Sequence, residues 1–150
     1  MIHPEARWEP DIIAFCCDYC ARSAAALAGS QRMQYPAGTR IMPTPCTGKI
    51  ELEHILEAFE KGIDGVLIIG CLEGNCHFVE GNLRARKRTE RIRSMLDEIG
   101  VGGERLAMVN LSDVMANEFA DHMKGTMEKI RSLGPNPLSV SEQKESAGKL

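Results

Sequence analysis

Six cysteines carry the chemistry legible in this 150-residue chain. Cys16, Cys17 and Cys20 form a C-C-x2-C run; Cys46 follows after 25 residues, Cys71 after a further 24, and Cys76 completes a C-x4-C. Soft thiolates select zinc, Cu(I) or iron–sulfur clusters. A tetrahedral zinc or a [2Fe-2S] cluster needs four of them. The pair Cys71/Cys76 is too wide for a standard zinc knuckle, and Cys46 stands alone. The spacings also miss the plant-type and bacterial ferredoxin runs. A second chemistry is open to Cys17-Asp18-Tyr19-Cys20: a C-x-x-C at a helix start has a lowered thiol pKa and suits a thioredoxin-like thiol oxidoreductase. That reading leaves Cys46, Cys71 and Cys76 without a role. Two further readings are a zinc-stabilised adaptor and inert buried cysteines. Ala21 follows Cys20 where a c-type haem would require His.

The elements that must position these thiols alternate. DIIAFCC (11–17) reads as a short buried strand, and the Ala-rich stretch over 19–28 as a helix ended near Gly29. TRIMPT (39–44) is a second strand. Leu52, Ile55, Leu56 and Phe59 recur at helical spacing within 51–61. GVLIIGC (65–71) is a continuous aliphatic run, as a central parallel strand covered on both faces requires. A long helix over 79–99, a strand over 105–111 and a last helix over 114–132 follow, the last with Met115, Phe119, Met123, Met127 and Ile130 on one face. From Gly134 the periodicity ends, and 134–150 is expected to be a flexible tail after a single α/β domain over 1–133. The pattern predicts a four-stranded, mainly parallel sheet with helices on both faces, flavodoxin-like in order 2-1-3-4 or, with mixed strand direction, thioredoxin-like. All six cysteines then lie at or just beyond carboxyl ends of strands. With neighbouring strands about 4.8 Å apart, thiols from three separate segments can converge there.

Composition narrows the function classes. The formal net charge is -3, which argues against a general nucleic-acid binder. The longest apolar run, GVLIIGCL, is far short of a membrane span, and the polar start MIHPEARWEP has no signal-peptide core, so a cytoplasmic location is expected. In a reducing compartment, disulfides are disfavoured.

The segments IIAFCCDYCARSAAALAGSQRMQYP, RIMPTPCTGKIE and ILEAFEKGIDGVLIIGCLEGNCHFVEGN, with the RIRSMLDEIG–GGERL region, resemble the delta subunit family of methyl-viologen-reducing hydrogenase. The most specific parts are C-x2-C before a small-residue helix, the Cys-Thr-Gly turn, and G-C-x4-C-H-x3-G-N. The resemblance runs from about residue 12 to 133. It implies one [2Fe-2S] cluster and an electron-relay role, with no bond-making chemistry. It also implies partners: a heterodisulfide-reductase-like flavin/iron–sulfur subunit on one side and a hydrogenase on the other. Carried over by motif, the candidate ligands are Cys17, Cys20, Cys46, Cys71 and Cys76, five for four places. Cys46, Cys71 and Cys76 are favoured, with the fourth from Cys17 or Cys20. Two departures stand out: Tyr19 where the family commonly has Trp, and LSDVMANEF in place of a small-residue run seen in hydrogenase-bound members. A formate dehydrogenase or a methylenetetrahydrofolate reductase module is therefore an alternative upstream partner.

Smaller signals surround the cysteines. Gly48, Gly74 and Gly81 flank them, and glycines let backbone amides approach cluster sulfurs, although turn chemistry alone accounts for them too. His77 follows Cys76 and reads as a hydrogen-bond donor to the ligands or a loop residue rather than a ligand. His54 reads as a surface group. Arg84, Arg86, Lys87, Arg88, Arg91 and Arg93 read as a solvated helix face, or as a docking surface for an acidic partner. Cys46-Thr47-Gly48-Lys49 is no phosphate loop, because Pro43 stands where its first glycine belongs.

Overall fold

The run GVLIIGC forms strand β3, Gly65–Cys71, with all seven residues buried, as a strand covered on both faces must be. The computed structural model describes residues 8–34, 38–76 and 78–139. It sets β1 (Ile12–Cys17), β2 (Thr39–Thr44) and β4 (Leu106–Leu111) beside β3, with helices α1 (Cys20–Ser30), α2 (Leu52–Glu60), α3 (Gly81–Glu98) and α4 (Ala116–Leu133) between and after them. The sheet order is β2-β1-β3-β4 and every neighbouring pair is parallel. The flavodoxin-like alternative therefore holds, and the mixed strand directions of the thioredoxin-like one are absent from this sheet. All four strands end at one edge, and two of the four end on a cysteine.

Alternating side chains of each strand feed two separate cores. On one face Ala14, Cys16, Leu67, Ile69 and Leu111 pack with Ala21, Ala24 and Ala28 of α1 and with Phe119 and Met123 of α4. On the other, Val66, Ile68 and Leu106 pack with Ile55 and Phe59 of α2 and Ile92 and Leu96 of α3. The methionine stripe of α4 is core, as its helical spacing implies: Met123 and Met127 are buried. His54 is exposed and has a local task, accepting the Glu51 backbone N–H at 2.9 Å to cap α2.

The tail expected from residue 134 does not begin there. Asn136 is fully buried. Its carboxamide donates to the carbonyls of Phe59 and Ile63, both at 2.8 Å, and its backbone N–H donates to Asp64 Oδ1 at 2.8 Å. Arg105, also buried, donates to the Gly134 and Pro135 carbonyls. The folded unit thus extends at least to Ser139, held by hydrogen bonds rather than by apolar periodicity. Residues 140–150 lie outside the described residues.

Candidate metal centre

The loops after β1 and β2 leave the sheet edge and turn within a few residues into a helix or helical turn, and the longer loop after β3 reaches α3 at Gly81. Such N-termini carry backbone N–H groups without intrahelical partners. The sulfurs take them up. Ala21 N–H of α1 points at Cys17 Sγ (3.4 Å), and Gly48 N–H, in a single 3-10 turn at Thr47–Lys49, points at Cys46 Sγ (3.4 Å). The N–H groups of Asn82, Phe78 and Gly81, at and before the start of α3, are directed at Cys76. Partial positive charge at helix starts favours thiolate or a sulfur cluster's negative charge.

The thiols meet in two pairs. Cys17 Sγ lies 3.6 Å from Cys71 Sγ, and Cys46 Sγ lies 3.8 Å from Cys76 Sγ. All four, with Tyr19, Pro45, Thr47 and Phe78, line one narrow cleft. Among the described residues, no three His, Cys, Asp or Glu side chains converge on a single ion position. Burial pushes the Cys17, Cys46 and Cys71 thiols up. At Cys17 and Cys46 the neighbouring thiol adds to this while the helix-start N–H pulls the other way. At Cys71 the neighbouring Cys20 adds to it and Cys17 opposes it. At Cys76 burial also raises the thiol, but the three backbone N–H groups and Cys46 outweigh it and leave it below its usual value.

The remaining cysteines divide. Cys20, the first residue of α1, is half-buried beside Cys71 and does not line the cleft. Cys16 is fully buried in the α1/α4 core, and burial together with the Cys17 charge pushes its thiol up to about 12, so it stays protonated and inert. His77 lies outside the described residues.

The flanking glycines have different tasks. A Cβ on Gly81 would come within 2.2 Å of Cys46 Sγ and 3.3 Å of Cys76 Sγ, and one on Gly48 within 2.9 Å of Gly81 Cα. Both are therefore required by close approach of the Cys46 turn to the start of α3. Gly74 differs: it has φ +83° and open space around it, which is a turn requirement.

Two supporting side chains, Asn82 and Asn110, escape the sequence reading. Asn82, buried, donates through Nδ2 to the carbonyls of Cys71 (3.0 Å) and Leu72 (2.9 Å). Asn110 Nδ2 donates to the same Cys71 carbonyl at 2.6 Å and is itself held by Arg86. Arg88 donates to the carbonyls of Gly48 (3.1 Å) and Ile50, tying α3 to the Cys46 turn. Three members of the basic run, Arg86, Arg88 and Arg93, thus spend donors on internal acceptors. A signal for Asn82 exists, since it is the last residue of G-C-x4-C-H-x3-G-N; none marks Asn110.

Known proteins resemble this chain over nearly all of its described length. Residues 12–134 match the family model described as methyl-viologen-reducing hydrogenase, delta subunit. The F420-non-reducing hydrogenase vhu iron-sulfur subunit of Methanocaldococcus jannaschii is 44% identical over 132 residues, covering 88% of this chain and 98% of that protein. The F420-non-reducing hydrogenase iron-sulfur subunit of Archaeoglobus profundus is 39% identical over 128 residues, 85% of this chain and 93% of its own length. One subunit of the ferredoxin/F(420)H(2)-dependent CoB-CoM heterodisulfide reductase of Methanosarcina acetivorans is 33% identical over 126 residues, 84% of this chain but 16% of that larger protein.

Proposed function

The chain belongs to the methyl-viologen-reducing hydrogenase delta subunit family, and from that premise we propose that it is an electron-transfer subunit holding one [2Fe-2S] cluster on Cys17, Cys46, Cys71 and Cys76. One observation carries the ligand set: sulfurs paired at 3.6 and 3.8 Å within a single cleft. Two thiolates about 2.3 Å from one tetrahedral metal lie about 3.8 Å apart. Each pair therefore has the spacing of two ligands on one metal, and two pairs suit a two-iron cluster. A single zinc would instead require all four sulfurs around one point. Of the five candidates, Cys20 lies beside Cys71 but does not line the cleft, and the proposed ligand set leaves it out.

The cluster supplies reversible one-electron oxidation and reduction. The protein's residues do the rest. Helix-start N–H groups from Ala21, Gly48, Gly81 and Asn82 face the sulfurs and offset the cluster's negative charge, and hydrogen bonds to sulfur are one of the terms that set the reduction potential. Asn82 and Asn110 fix the Cys71 carbonyl and so the direction of its side chain. The chain relays electrons between a hydrogenase or other dehydrogenase module and the flavin-containing subunit of a heterodisulfide-reductase-like complex. A formate dehydrogenase or a methylenetetrahydrofolate reductase is an alternative upstream module. The hydrogenase names of the two iron-sulfur relatives support the first partner. Occurrence of a similar domain inside a much longer heterodisulfide reductase polypeptide supports the second. Among the described residues no helix is long and apolar enough to cross a membrane, and a cytoplasmic location is part of the proposal.

The test is anaerobic purification followed by iron, zinc and acid-labile sulfide analysis, with visible and reduced-state EPR spectra. About two iron and two sulfide per chain, with a reducible chromophore, is the expected result. One zinc and no sulfide would replace the carrier with a zinc-stabilised adaptor. A metal-free dithiol would move the function to Cys17 and Cys20.

A further inference from the structure

We propose that Tyr19 and Phe78 form an aromatic lid that governs the access of water and small molecules to the four sulfurs, a role that rests on the cluster reading above. Tyr19 stands between Cys17 and Cys20, in the β1–α1 loop; Phe78 stands two residues beyond Cys76, in the β3–α3 loop. The two rings therefore hang from different sulfur-bearing loops. They meet with centroids 6.1 Å apart and planes at 66°, the edge-to-face arrangement aromatic pairs prefer.

Burial shows which side of the cleft they occupy. Cys17, Cys46 and Cys71 are at most 5% exposed, whereas Tyr19 is 42% and Phe78 48% exposed. Of the residues lining the cleft, the exposed ones are Tyr19, Pro45 and Phe78. These three form its wall toward solvent, and the two aromatic ones meet each other. Neither ring belongs to the buried clusters on the two sheet faces. The backbone beside Phe78 is unusual as well: Val79 is β-branched yet adopts φ +65°, a conformation such residues rarely occupy. At that turn the Val79 N–H donates to the Cys76 carbonyl at 3.0 Å, and Phe78, the residue before it, lines the cleft. A closed lid keeps water from the N–H groups that face sulfur, and so bears on the potential as well as on cluster lifetime.

The test uses the full chain, both as isolated and after its iron is removed. In the loaded protein, iron loss to bathophenanthroline disulfonate is followed over time. In the iron-free protein, alkylation by iodoacetamide is measured at each cysteine by peptide mass spectrometry. Phe78→Ala is expected to raise the rates of iron loss and of alkylation at Cys46 and Cys71 about three- to tenfold, the factor an aromatic pair represents. Alkylation at Cys16, in the core and outside the cleft, should not change. Tyr19→Phe, which keeps the ring, should match the parent, and Phe78→Leu should fall between. Unchanged rates at Cys46 and Cys71, or an equal rise at Cys16 that marks general loosening, would overturn the lid. A chain that never carries iron would sink the cluster reading while leaving the alkylation test of the lid intact.

Discussion

Gly81 is glycine because sulfur occupies the space of its side chain. Its Cβ would sit 2.2 Å from Cys46 Sγ, far inside contact distance, and neither the 3-10 turn nor the start of α3 can retreat without pulling the Cys46/Cys76 pair apart. Gly81→Ala is therefore expected to cut iron and sulfide content at least severalfold while leaving the far-ultraviolet circular dichroism of the chain close to that of the parent. A full complement of cluster in that variant would contradict the close packing. At this scale the cysteines were legible from type and spacing alone. Which thiol pairs with Cys71 was not: Cys17 and Cys20 are three residues apart, and only the turn into α1 decides which of them faces the cleft. The task of Asn82 was hidden too, although its place in a motif was not. It depends on Cys71 and Leu72 presenting carbonyls within reach at the end of β3, and sequence spacing says nothing of that.

Among the elements, α3 holds the site together. Its first turn faces Cys76, and further along Arg88 reaches back to the carbonyls of Gly48 and Ile50. A cationic residue in a run of six basic ones looks like surface charge in the sequence, because its acceptors are backbone carbonyls some forty residues away. Removing a charged hydrogen-bond donor and leaving buried carbonyls unpaired costs about 1–3 kcal/mol. Arg88→Met should lower stability by that amount in urea unfolding and should also shorten cluster lifetime, since the Cys46 turn loses its tie to α3. A variant as stable as the parent, with normal cluster retention, would show that the tie is dispensable. Arg84, Lys87 and Arg91 are exposed and have no comparable internal role in the hydrogen bonds described, Arg84 making only a surface ion pair with Glu80, so the docking-surface reading of this helix narrows to these three.

For the molecule as a whole, the strand–helix alternation and the continuous run 65–71 pointed to a mainly parallel sheet and left two arrangements open, because a buried central strand needs helices on both sides and right-handed crossovers leave few topologies; the parallel pairing in order β2-β1-β3-β4 decides between them. The end of the folded unit carries no periodic signal in the sequence. Residues 134–139 have no apolar period, yet Asn136 is anchored by four hydrogen bonds with Phe59, Ile63, Asp64 and Leu138, and polar anchoring of that kind leaves no periodic signature. The result is one sheet whose carboxyl edge gathers thiols from three segments into two pairs. That pairing is tested most directly by counting iron and acid-labile sulfide in Cys17→Ser and Cys20→Ser, each purified anaerobically beside the parent. Loss of the cluster in Cys17→Ser with near-parental content in Cys20→Ser is the expected result. The reverse, a retained cluster in Cys17→Ser and a lost one in Cys20→Ser, would contradict the assignment of Cys17 and Cys71 to one metal.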